Sequence, residues 1–469
     1  MKQLFVTNTL GREMQLFTPI EKDSVSVYHC GPTVYWTQHI GNMRAAFFGD
    51  IVNRTLRYAG YKVTFVRNYT DVGHLSGDND GDADTGVDRM EKAANRENKT
   101  PEEIATIYID QFDRDLHLLN VITPEYRPKA TEYISPMITF VSELLEKGFA
   151  YQTNLAIYFD TSKKEDYFKL SGQKAEELQD KAGHGEVTDS EKRNSTDFAV
   201  WFFKSGAHEH ALQSWDNPFS ETQGFPGWHI ECSAMIRDLL GDTIDMHLGG
   251  IEHVSIHHTN EIAQSECANN ATFANYWLHN EHLDVNGGKM SKSEGTAFSV
   301  SELLEKDYDP MDLRYFFLQA HYRSKQNFTY TALDAAKTGR ERLVKRLATL
   351  ADGGLVSEIF KDKFEKVLFE DFNTAGALAV VSEVLKSDLN EADKKATILD
   401  FDKVLGLRLD QVQEEDELEL SVELTDLLMQ RKEAREAKNW TLTDQLRDQI
   451  DNLGFVVKDT PEGQKIEKK

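Results

Sequence analysis

Val25-Ser26-Val27-Tyr28, Cys30-Gly31-Pro32, the run from His39 to Ala59 and Lys62-Val63-Thr64-Phe65-Val66 follow one another closely, and their order decides the fold. The first stretch is short and β-prone, and Gly31-Pro32 breaks it. From His39 onward Ala46, Phe47, Ile51 and Leu56 recur at helical spacing, and Gly60 suits the C′ position of that helix. Lys62–Val66 is again a strand. Strand, loop, helix and strand form a βαβ unit, which implies a parallel sheet.

The chain of 469 residues has room for several domains, and its 40% hydrophobic and 28% charged residues are ordinary for a soluble globular protein. No apolar run is long enough to span a membrane, and the first twenty residues carry charge without an apolar core, so the cytoplasm is the expected compartment. Cys30, Cys232 and Cys267 are too few for a disulfide framework, and a special cysteine here is read as a ligand or nucleophile. The net charge of −26 speaks against broad, nonspecific nucleic-acid binding but leaves room for an RNA held by a local basic face.

Downstream, residues 78–91 read as an acidic loop. Asp80, Asp82, Asp84 and Glu91 have the spacing of a calcium loop, but Thr85 occupies the position that needs glycine, so a solvated loop is expected. Residues 161–197 are rich in Lys, Glu, Asp and Ser and look like part of an insertion. Strand and helix signals resume at 224–283, so the first domain is split. From 331 the pattern turns helical and charged, as in Leu333–Leu350, Lys361–Leu368 and Thr374–Leu385. A helical pair and a Gly-containing tail follow from 422.

His39-Ile40-Gly41-Asn42 stands where a loop becomes a helix. Backbone N–H groups and the positive helix end favour phosphate there, Gly41 admits a close ligand, and an imidazole can stabilise developing phosphate charge. The bland reading is a histidine that caps a helix. Lys289-Met290-Ser291-Lys292-Ser293 follows Asn286-Gly287-Gly288, and two lysines on such a loop can neutralise a leaving pyrophosphate. Its bland reading is a solvated basic loop. Together and in this order, the two segments resemble the signatures of class I aminoacyl-tRNA synthetases. The resemblance implies a Rossmann-like parallel-sheet catalytic domain split by a connective insertion, followed by an α-helical bundle and a small C-terminal anticodon-binding domain. It also implies ATP, with Mg²⁺, as a substrate. Asn42 departs from the usual second histidine and can donate a hydrogen bond but not carry charge.

Cys30 ends the first strand, Cys232 lies in Gly227-Trp228-His229-Ile230-Glu231-Cys232, and His257 and Glu261 stand four apart on one helix face. Two thiols, an imidazole and a carboxylate suit a four-ligand zinc site. His258 also reaches Glu261 across three residues, and spacing does not choose between the histidines.

Cys30-Gly31-Pro32-Thr33-Val34-Tyr35, Gly227–Met235, His257–Glu266 and Arg314-Tyr315-Phe316 resemble the cysteinyl-tRNA synthetase family, and the similarity runs over nearly the whole chain. It implies one zinc held by Cys30, Cys232, His257 and Glu261, binding the thiolate of L-cysteine. Gly31, Thr70 and Trp228 would line the amino-acid pocket, and tRNA(Cys) would be the acceptor. His39, Gly41, Asn42, Lys289 and Lys292 would serve ATP and catalysis, and Arg435, Trp440, Asp444 and Arg447 would meet the anticodon loop. The implied organisation is a catalytic domain over 1–122 and 222–283, an insertion over 123–221, a signature-loop and stem-contact region over 284–330, a helical bundle over 331–421 and an anticodon-binding region over 422–469, in a monomer. Because zinc takes a thiolate and not a serine hydroxyl, no editing activity is expected.

Two departures stand out. Asp245-Met246-His247-Leu248-Gly249-Gly250 replaces an expected Asp-x-His-Gly-Gly-Gly, with Leu248 expected to crowd the adenosine side. After Gly463 the tail offers Ile466 where an aromatic residue is expected, and isoleucine has no π-face for stacking. The alternatives are a related ligase that joins cysteine to an amino-sugar and a non-catalytic paralogue.

Overall fold

The computed structural model describes residues 3–73, 88–173, 189–289, 297–411, 422–460 and 463–468, which divide into a unit ending at Gln411 and a second unit after it. A hairpin of β1 (Phe5–Asn8) and β2 (Glu13–Leu16) precedes β3 (Ser24–His29), α1 (Ile40–Tyr58) and β4 (Lys62–Arg67). Then come α2 (Arg89–Glu97), α3 (Pro101–Leu118) and α4 (Ile134–Glu146). Next are β5 (Ala150–Gln152), β6 (Ala156–Phe159), β7 (Phe198–Phe203) and β8 (Gly224–Pro226). The chain returns through α5 (Trp228–Leu240), β9 (Ile244–Gly250), α6 (His257–Asn269) and β10 (Ala274–Asn280).

The expected βαβ unit is present. β3 and β4 pair in parallel, and the sheet order β10-β9-β3-β4 is parallel throughout. α1 is capped by His39, ends at Ala59 and is followed by Gly60 at φ +97°, the left-handed conformation expected for that glycine. Its apolar residues are buried, Phe47 against Phe317 and Phe48 against Tyr322, and the strands of the parallel sheet are buried along most of their length.

Between β4 and α5 the antiparallel sheet β5-β6-β7-β8 interrupts the parallel one. It is not a loose appendage. Phe159, Phe198 and Trp201 share one buried cluster with Phe140 of α4, Met235 of α5 and Trp277 of β10. Each such side chain contributes about 2–3 kcal/mol by leaving water.

A three-stranded sheet of β11 (Leu283–Val285), β12 (Gly288–Lys289) and β13 (Gln326–Phe328) follows, with α7 (Val300–Leu304) and α8 (Pro310–Leu318) between its last two strands. Asn286 and Gly287 both have positive φ, as a tight two-residue hairpin turn requires. α9 (Tyr330–Ala348), α10 (Glu358–Leu368), α11 (Thr374–Lys386) and α12 (Glu391–Leu405) form the helical region.

In the second unit α13 (Val422–Glu436) and α14 (Trp440–Asn452) are the expected helical pair. The tail is not plain: β14 (Phe455–Thr460) and β15 (Gly463–Lys468) pair as an antiparallel hairpin. Val457 of that hairpin joins Leu424 and Ile450 in a small core.

Candidate active site

β3 leads through α1 to β4, whereas β9 leads through α6 to β10. Because β3 and β9 are neighbours, the two crossovers depart in opposite directions and leave a crevice at the strands' carboxyl ends. Cys30, Thr70 and Gly250 all lie at that end, and α6 brings His257 and Glu261 to it.

There the chain assembles a ligand-like group. The Cys30 and Cys232 sulfur atoms are 3.9 Å apart, Cys232 Sγ is 3.6 Å from His257 Nε2, and Cys30 Sγ is 3.8 Å from Glu261 Oε1. Bonds of about 2.3 Å to sulfur and about 2.0–2.1 Å to nitrogen or oxygen predict tetrahedral edges of about 3.8 Å between sulfurs and about 3.5 Å between sulfur and a lighter donor. The measured edges fall close to these. The fourth pair, His257 Nε2 and Glu261 Oε1, is closed to 2.8 Å by a direct ion pair. The residues therefore fit a four-coordinate divalent cation.

A second group overlaps the first: Cys30, His247, His258 and Glu261 also bring donor atoms within 4.8 Å of one another. The set containing both thiols takes His257. His258 turns its Nε2 to Cys30 at 3.3 Å and its Nδ1 to His279 Nε2 at 2.7 Å.

His247 was not singled out from sequence. It lies 2.8 Å from Glu261 Oε2 and stacks on Trp277 with ring centroids 4.4 Å apart. Strand alternation places Asp245, His247 and Gly249 on one face of β9, and that was the available signal.

Burial alone would raise the Glu261 carboxyl, but the imidazoles of His247 and His257 outweigh it and hold the group well below the usual carboxylate range. Burial pushes the Cys30 thiol well up, while the hydrogen bond from Cys30 brings Cys232 below its ordinary value. Cys267 lies near the far end of α6, its thiol pushed up to about 11 by burial, and takes no part.

Of the residues expected to line a pocket, Gly31 follows Cys30 and Trp228 packs on His257, while Thr70 reaches Glu231 beside Cys232. Gly31 passes so close to Asn68 that an added Cβ would lie 1.6 Å from the Asn68 carbonyl oxygen, which excludes any larger residue. Thr70 is buried, with its hydroxyl 3.1 Å from Glu231 Oε2. Trp228 opens α5 half-buried, its ring centroid 4.2 Å from that of His257.

At the start of α1 His39 does cap the helix. Its Nδ1 accepts from the Asn42 N–H at 3.3 Å, and Asn42 Oδ1 accepts from the His39 N–H at 3.2 Å, a reciprocal capping box. Gly41 and Asn42 are half-buried. Of the second signature, Lys289 ends β12, while Lys292 and the rest of 290–296 lie outside the described residues, as does most of the acidic stretch 78–91. The Phe298 carbonyl accepts from the Ile40 N–H at 2.8 Å, so residue 298 meets the first turn of α1.

Leu248 does not crowd an open site. It is fully buried, in register with His29 and Leu278, and its sheet face is the one on which His29 meets Gly49 of α1. It is a packing residue. Ile466 likewise packs inward, against the small core of the second unit. Of the residues expected at an anticodon loop, Trp440 opens α14 with 60% of its surface exposed. Asp444 and Arg447 are exposed with side chains 4.0 Å apart, and Arg435 is half-buried on α13. Among the described residues, no helix is long and apolar enough to cross a membrane.

The split parallel sheet, the crevice at its switch point and the signature on α1 define a class of enzyme. Residues 16–338 match the family of tRNA synthetases class I (C) catalytic domains, and residues 418–466 match the cysteinyl-tRNA ligase anticodon binding domain. The chain belongs to the cysteine–tRNA ligases, a family of class I aminoacyl-tRNA synthetases. It is 41% identical to cysteine–tRNA ligase 1 of Burkholderia lata over 464 residues, covering 99% of this chain and 96% of that one. It is 38% identical to the cysteine–tRNA ligase of Treponema denticola over 485 residues, covering 96% and 97%. Among solved structures, Mycobacterium tuberculosis methionyl-tRNA synthetase bound by methionyl-adenylate shares the fold. Its TM-score is 0.55 at 14% identity, over 88% of this chain and 95% of that one.

Proposed function

We propose that this chain activates L-cysteine with Mg-ATP and transfers it to the 3′ end of tRNA(Cys). The cysteine carboxylate attacks the α-phosphorus, forming cysteinyl-adenylate and releasing pyrophosphate. The terminal ribose hydroxyl of the tRNA then attacks the acyl carbon and releases AMP. His39 at the helix start and Lys292 of the signature loop stabilise charge developing on the phosphates, with Asn42 and Lys289 assisting. Gly41 lets the nucleotide approach the backbone. Positioning and electrostatics carry the chemistry, and no protein nucleophile is needed.

The observation that carries the amino-acid specificity is the convergence of Cys30, Cys232, His257 and Glu261 beside Trp228 at the sheet's switch point. These four would hold one zinc, which when bound supplies a soft centre that takes a thiolate and rejects a serine hydroxyl. Gly31, Thr70 and Trp228 wall the amino-acid pocket. Residues 284–330 carry the signature loop and stem contacts, and 123–221 form the insertion. The bundle at 331–421 leads to 422–469, where Arg435, Trp440, Asp444 and Arg447 read the anticodon loop. Stacking on Trp440 suits an unstacked base. Cysteine-dependent ATP–pyrophosphate exchange tests the reading: the zinc-loaded protein exchanges with cysteine and not with serine, and no exchange with either would overturn it.

A further inference from the structure

Cys30 and Cys232 are 202 residues apart, yet their immediate neighbours are tied together by one buried hydrogen-bond chain. The Gly31 N–H donates to Asn68 Oδ1 at 2.8 Å, Asn68 Nδ2 donates to Thr70 Oγ1 at 3.2 Å, and Thr70 Oγ1 donates to Glu231 Oε2 at 3.1 Å. Asn68, Thr70 and Glu231 are all buried. The direction of every link is dictated by the ends. A backbone N–H can only donate, so Asn68 must present its oxygen to Gly31 and its amide nitrogen to Thr70. A threonine hydroxyl has one proton, and a carboxylate accepts it. Away from water such a chain is strengthened by its own polarity, and a broken link leaves a buried group unsatisfied.

One end of this chain adjoins Cys30 and the other adjoins Cys232. We propose that Asn68 and Glu231 are positioning residues whose chain sets the separation of the two sulfur atoms, and through it the grip of the site on its metal and on cysteine. This rests on the reading of Cys30 and Cys232 as ligands.

Reversing the chain's polarity is the test. Asn68→Asp keeps the acceptor for Gly31 but removes the donor to Thr70, whose single proton must then serve two carboxylates. Glu231→Gln removes the charged acceptor at the other end. Each single variant is expected to weaken zinc retention against a chelator about tenfold to a hundredfold. Each should raise the KM for cysteine in pyrophosphate exchange by about tenfold, leaving the KM for ATP within about twofold. In the double variant the amide introduced at position 231 donates to Thr70, and Thr70 donates to the carboxylate introduced at position 68, so the chain re-forms in the opposite sense. Zinc retention and KM should then recover to within about threefold of the starting protein. Wild-type values in both single variants, or losses that simply add in the double variant, would overturn the proposal. Should Asn68→Asp fail to fold, Glu231→Gln carries both readouts and Thr70→Val carries zinc retention alone, because Thr70 also walls the amino-acid pocket. Cys232→Ser separates the two levels: retention of zinc there refutes the ligand reading itself, whereas its loss beside unaffected Asn68 and Glu231 variants refutes only the positioning role.

Discussion

The two sides of the crevice are built differently. The side with the ligand-like group, proposed to take cysteine, is closed packing: Cys232, His257 and Glu261 are almost fully buried, and each donor is held by a neighbour from another element. The nucleotide side is the half-buried first turn of α1, satisfied by its own capping box and by Phe298. Selecting one small amino acid requires donors fixed to within a few tenths of an ångström. Holding a large charged nucleotide, as proposed for the start of α1, requires access. The anchoring of the nucleotide side comes further along α1, where Asp50 pairs at 2.7 Å with fully buried Arg314, whose Nε also donates to the Leu405 carbonyl.

From this contrast, removing a ligand on the closed side should cost most. Cys232→Ser is expected to lower kcat/KM for cysteine in pyrophosphate exchange on the order of a thousandfold, about 4 kcal/mol of transition-state stabilisation. A loss of less than about tenfold would show that the metal does not set the specificity.

Arg314→Leu probes the anchor. It leaves buried Asp50 with Arg54 and the Ile122 N–H but without its fully buried partner, and should lower stability by about 3 kcal/mol in urea titrations, with the KM for cysteine unchanged. Burial opposes ionisation of Asp50, but Arg314, Arg54 and the Ile122 N–H prevail and hold its carboxyl below the ordinary value. Such a group stabilises the fold above its unfolded pKa of about 3.9 and loses that contribution as pH falls through the folded value. The stability difference between wild type and Asp50→Asn should therefore be flat from about pH 8 to 5 and shrink only below about 4. A difference that already shrinks between those neutral values contradicts the pairing.

Lys292→Ala addresses the signature loop. It should lower kcat for exchange about a hundredfold with little change in the KM for cysteine, because charge on the leaving pyrophosphate develops in the transition state. A change confined to KM would assign Lys292 to ground-state binding. The smallest effect is expected at Asn42. Asn42→Ala removes one arm of the capping box and should cost about 1 kcal/mol of stability, with exchange slowed by about threefold or less. A wholly unchanged rate would confine Asn42 to the cap and remove the assisting part proposed for it at the phosphates.

The period of apolar residues from Val25 to Val66 was enough to place a strand, a helix and a parallel strand, because those preferences are local to neighbouring residues. His39–Asn42 and Lys289–Ser293 were legible for the same reason: each is one short run. The proposed ligand set came from resemblance, while spacing left His257 and His258 open. Only the fold shows that the two-thiol group takes His257 while His258 faces Cys30 and His279. The face that Leu248 occupies is not legible from its place in the motif, because strand register alone turns it into the core. The β14–β15 hairpin was missed because one Val-Val pair beside a glycine is a faint signal until its partner strand lies against it. Local periodicity thus determined the elements and short motifs the chemistry. Sheet register and helix packing decided which donors meet, because Cys30 and Glu261 are brought together across 231 residues by contacts that no stretch of sequence contains.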